Sequence, residues 1–159
     1  MSSSATPPVR TPLDFYVPAK GYAEAAKIIV LSPLRESRVE MTYLPIHMLL
    51  GFSVELYLKS WLCQEGIHED ILRKKPYGHD LDNLYKEATS RNLTNVSGLD
   101  LLVQKLHGPH TNFTYRYFRS DLSFDNTDFR SAFEITDRLD VEVDTHIGAS
   151  ASHGLQPGH

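Results

Sequence analysis

Residues 49–65 read LLGFSVELYLKSWLCQE. Set around a helix at about 100° per residue, Leu49, Phe52, Leu56 and Cys63 share one quadrant, while Val54, Leu58 and Trp61 lie well away from it. A helix that is apolar on all sides is buried on all sides, so other helices must wrap around this segment. Glu55 and Lys59 nevertheless sit in its middle, one turn apart, between Met48, Gly51, Phe52 and Leu62. Two readings follow. The pair reaches solvent along a narrow strip, where it is worth a few tenths of a kcal/mol. Alternatively it lines a cleft or interface, where burial is costly unless each charge is satisfied.

A chain of 159 residues suits one domain with a real core. Its net charge of −4 lacks the overall basic footprint of a dedicated nucleic-acid binder, although a local patch would still serve. The single cysteine, Cys63, rules out an intramolecular disulfide and favours a reducing compartment. With no apolar leader and no run of membrane-spanning length, a cytoplasmic protein without membrane contact is expected.

Residues 1–18 hold four prolines and are predicted to be a flexible segment whose first dozen residues can be removed without lowering the melting temperature. A helical domain over 19–145 follows, and a flexible tail over 146–159. The pattern predicts helices over 19–31, from Ser37 to about Glu65, from His79–Asp80, from Ser97 to Gly108–Pro109, and from Asn126 or Asp128 onward. Ser37 and Glu40 fit a capping box, and Pro45 predicts a kink or break near Tyr43. HTNFTYRYFRSDLSF has no helical period and reads as an extended loop or short hairpin. The fold class is all-α, a four- to five-helix bundle.

GFSVELYLKSWLCQEG, then GHDLDNLYKEA, then TYRYF resemble in order and spacing the HEPN family of small helical domains. The likeness covers roughly residues 37–140. The E-x-x-x-K element maps to Glu55 and Lys59, the G-H-D-L helix start to Gly78, His79, Asp80 and Leu81, and the R-Y element to Arg116 and Tyr117. The resemblance implies an up-and-down bundle, usually a homodimer, in defence or toxin–antitoxin systems. Some members are metal-independent ribonucleases with an R-x4–6-H motif at the start of the last helix. Others are paired with nucleotidyltransferases, and others are binding modules. Arg73 and His79 match the motif's spacing but belong to a Pro–Gly loop and the G-H-D-L element, while Arg138 and His146 in the last helix are separated by seven residues.

The candidate catalytic residues are therefore His79 and Arg116, and the candidate binding residues Glu55, Lys59, Arg73, Tyr115 and Tyr117. His79 or Asp80 can instead simply cap a helix. Arg116, between tyrosines, is either a stacking platform for bases or a clamp on a carboxylate such as Glu55. Arg73-Lys74-Lys75 is a solvated loop or a phosphate contact. His107-x-x-His110 has ligand-like spacing, but Gly108–Pro109 intervenes and nothing nearby in sequence completes a metal set. No metal or other cofactor is expected. The leading expectation is a nucleotide- or RNA-associated binding module, with a nucleotidyltransferase-type antitoxin as partner. The alternatives are an endoribonuclease using His79 with Arg73 or Arg116, and a purely structural oligomerisation module.

Overall fold

A computed structural model describes residues 9–116 and 127–159. All regular structure among them is helical: α1 (Pro12–Leu31), α2 (Val39–Gln64), the single turn α3 (Glu69–Leu72), α4 (Leu81–Ser90), α5 (Leu99–Thr111) and α6 (Phe129–Ile147). Short 3-10 turns add Pro33–Arg35, Thr114–Arg116 and Ala151–His153. Among the described residues no helix is long and apolar enough to cross a membrane.

The apolar rod is central. Along α2, Ile46, Leu50, Val54, Tyr57, Leu58 and Leu62 are wholly buried. α1 packs along it most extensively, and α4, α5 and α6 cover its other sides. Each such aliphatic side chain contributes on the order of 2 kcal/mol of burial. Leu81, Leu84 and Ala88 of α4 and Ala132, Leu139 and Val143 of α6, each set three or four residues apart or a multiple of a turn, are buried on the sides that meet it.

Several boundaries differ from those predicted. The first helix begins at Pro12, not residue 19, because Thr11 and Asp14 build an N-terminal cap in which the Asp14 carboxylate accepts from the Thr11 N–H and hydroxyl, both at 2.7 Å. Phe15 and Tyr16 are thereby buried, so residues 12–18 belong to the domain. The Ser37 capping box does not form: Arg38 is the N-cap and the Ser37 hydroxyl donates to the Leu34 carbonyl. Pro45 sits inside the unbroken α2. Residues 146–159 pack back on the bundle. The Asp144 carboxylate accepts from the backbone and hydroxyl of Ser150 (2.7 and 2.6 Å) and from the Gly158 N–H (2.7 Å). Most consequentially, α5 runs through Gly108–Pro109 to Thr111. Proline near a helix end loses one backbone bond without ending the helix, and this extra turn delivers His110 to the interior.

Candidate functional site

The site is organised by Glu55. Its place on the buried rod leaves it 2% exposed, and Lys59, one turn on, is 5% exposed, so the solvent-strip reading of the pair is set aside. A buried carboxylate needs compensation for its lost hydration, and Glu55 has three partners. The Lys59 ammonium donates to Oε1 at 2.6 Å. Two imidazoles meet the other oxygen: His110 Nε2 lies 2.6 Å and His79 Nδ1 2.9 Å from Oε2. Burial drives the Glu55 pKa up, but the His110 hydrogen bond, the Lys59 charge and the bonds from Lys59 and His79 outweigh it and hold the pKa at about 2. The carboxylate is therefore ionised and accepts only. Each ring nitrogen facing it must carry the proton, which puts His79 in the Nδ1–H form and His110 in the Nε2–H form whenever the rings are neutral.

Local sequence explains how the histidines arrive. Gly78, at φ +43°, turns the chain into α4, and Asp80 caps that helix by accepting from the Asn83 N–H at 2.9 Å. The capping role thus falls to Asp80, leaving the His79 ring free to reach Glu55. The Thr111 hydroxyl, on the extra turn of α5, holds the His79 carbonyl at 3.1 Å. Phe52 and Phe113 set their rings nearly perpendicular to His79's, at 6.3 and 5.1 Å between centroids. Gly51 makes room for His110, since a Cβ there would stand 2.5 Å from Nδ1.

The site opens on one side. The His79 side chain is 42% exposed and lines a cavity of about 570 Å³ together with Arg73, Lys75, Tyr77, Asn83 and Phe113. With Nδ1 turned to Glu55, the opposite nitrogen, Nε2, is on the outer edge of the ring. A carboxylate–histidine pair in this arrangement presents an imidazole ready to take a proton. Beyond Phe113 the Arg116 guanidinium lies over that ring at 4.3 Å and over Phe52 at 5.7 Å. It faces aromatic rings rather than Glu55, so the carboxylate clamp is not what its position provides. Arg116 and Tyr115 also line a second cavity, of about 880 Å³, with Met41, Leu44 and Met48. A small cleft bordered by Phe113, Phe52 and Arg116 separates the two cavities.

The predicted residues thus divide into groups. Glu55, Lys59 and His79 converge, Arg73 shares the cavity of His79, and Arg116 and Tyr115 lie one aromatic ring away. Tyr117 lies outside the described residues. Arg138 and His146 are elsewhere, the first bonded to the Ser97 carbonyl and the second stacked on Trp61 at 3.8 Å. The missed residue is His110. Its relation to Glu55 spans 55 positions, and the signal that could have found it was the apolar spacing of Leu99, Leu102, Val103 and Leu106, which continues to His110 at i+4. His107 does not join it, its Nδ1 instead accepting from the Asp82 N–H at 3.3 Å. A carboxylate oxygen of Glu55, a His79 nitrogen and a His110 nitrogen lie within 4.8 Å of one another, the one three-donor group of this kind among the described residues. Comparison with known proteins finds no family model, no curated relative and no solved structure that matches this chain.

Proposed function

We propose that the chain is a HEPN-like helical module that binds single-stranded RNA or a nucleotide across the His79 cavity. One observation carries the reading: a histidine held by a buried carboxylate lines the same cavity as two cations, Arg73 and Lys75. The cations suit phosphate, whose attraction to them is independent of base identity. Tyr77 and Phe113 in that cavity, and Arg116 and Tyr115 beyond it, offer flat surfaces on which bases stack. The resemblance adds the expectation of a homodimer in a defence or toxin–antitoxin setting, beside a nucleotidyltransferase-type partner.

The Glu55–His79 pair favours a second reading, metal-independent cleavage with Arg73 in the supporting role. His79 Nε2 would take the proton of a ribose 2′-hydroxyl as that oxygen attacks phosphorus. The bond to the 5′ oxygen breaks, leaving a 2′,3′-cyclic phosphate, and the departing oxygen takes a proton from water. Arg73 would offset the charge gathering on the phosphate.

Fluorescence anisotropy with a labelled single-stranded RNA tests the binding. Arg73→Ala and Lys75→Ala are each expected to weaken it several-fold and to flatten its salt dependence. Incubation of the same RNA in chelator tests the chemistry, where cleavage that disappears in His79→Ala establishes the second reading. If neither RNA nor nucleotides bind or shift the melting temperature, both readings fail and a purely structural oligomerisation module is left.

A further inference from the structure

The donor set around Glu55 has a chemistry that proton transfer does not use. Two imidazole nitrogens and one carboxylate oxygen, from α2, α5 and the turn before α4, come within 4.8 Å of one another. Two histidines and a carboxylate, with a fourth position open to water, match the ligand preferences of zinc-class divalent ions. Magnesium and calcium favour oxygen ligands throughout and suit this set poorly.

The rearrangement required is local to the two rings. Both nitrogens now point at one oxygen, Oε2, from 2.6 and 2.9 Å. Around a zinc ion with bonds of about 2.0–2.2 Å, adjacent donor atoms stand about 3.2–3.5 Å apart. The rings therefore retreat from Oε2 by roughly half an ångström, and their two nitrogens, within 4.8 Å of each other, settle at the same donor spacing to admit the ion. His79 is free to make that movement, being 42% exposed on the cavity side, which also supplies the entry path and room for a water ligand. Lys59 stays on Oε1, so Glu55 would offer only Oε2 and the ammonium would orient the carboxylate from behind.

We propose that Glu55, His79 and His110 bind one divalent transition-metal ion of the zinc class, in competition with the hydrogen bonds that now join them. Neutral imidazole binds metal through a lone pair, so the protons are redistributed without loss. The His79 proton moves from Nδ1 to Nε2, and the His110 proton from Nε2 to Nδ1. His79 Nε2 then carries a hydrogen and no longer accepts one, so the bound metal silences it as a base. That inhibitory consequence rests on the cleavage reading above; the binding itself does not.

The test is a zinc titration of the full chain, stripped of metal, against a chromophoric chelator, with magnesium as the comparison ion. Wild type is expected to take up one zinc in the micromolar range and to gain melting temperature, and magnesium to do neither. His107→Ala should keep that equivalent, whereas His79→Ala and His110→Ala should lose it. Should His110→Ala fail to fold, His79→Ala still decides the matter, because its ring is partly exposed and outside the core. Absence of micromolar zinc binding by wild type, or unchanged binding in His79→Ala, overturns the site. Binding without any RNA cleavage would retain the metal site and remove only its inhibitory role.

Discussion

At the residue scale, one carboxylate sets the protonation of its neighbours. Glu55→Ala leaves the 5%-exposed Lys59 without its partner, and equilibrium urea unfolding should register a loss of about 3 kcal/mol or more. A change within about 0.5 kcal/mol would mean the pair is solvated. The same bonds give the protein an acid limit. Because the Glu55 pKa falls on folding from an ordinary 4.5 to about 2, its contribution is complete above pH 4.5 and lost as pH falls toward 2. The amount at stake is about 3 kcal/mol, and unfolding curves at descending pH should show Glu55→Gln without that portion of the decline. Gly51→Ala is a sharper probe of His110. In an ordinary helix interior alanine stabilises relative to glycine by up to about 1 kcal/mol. Here its methyl would stand 2.5 Å from the His110 ring, and a loss of about 1–3 kcal/mol is expected by thermal melting.

At the element scale, prolines and caps decide where the helices end. Residues 1–18 looked detached because of their prolines, yet proline suits the first turn of a helix, and Thr11 with Asp14 supplies the cap. The Ser60 hydroxyl further fixes this start by donating to the Pro12 carbonyl at 2.8 Å. Removal of residues 1–12 is therefore expected to lower the melting temperature by about 3 °C or more, contrary to what composition suggests. An unchanged melting temperature would show that the cap contributes nothing. Gly108–Pro109 misleads in the same way. Read locally they end a helix, but the burial of Leu102, Val103 and Leu106 continues the helix past them, and a tertiary gain overrides a local stop.

At the scale of the whole molecule, the burial of α2 was legible because an all-round apolar rod has no other solution. The partners of Glu55 were legible in part. Lys59 is one turn away and His79 opens the next long helix, whereas His110 lies 55 positions distant behind a misleading Gly–Pro stop. The docking of residues 146–159 was not legible, because it depends on the buried Asp144 and its bonds to Ser150 and Gly158 rather than on any apolar pattern. Two histidines sharing one carboxylate oxygen form the centre of the site. Nitrogen-15 NMR of the imidazole rings, in metal-free and mildly alkaline buffer, reads that arrangement directly. The predicted result is His79 protonated at Nδ1 and His110 at Nε2, both reverting toward solvent-like mixtures in Glu55→Gln. A His79 ring protonated at Nε2 in the wild type, indifferent to Glu55, would contradict it.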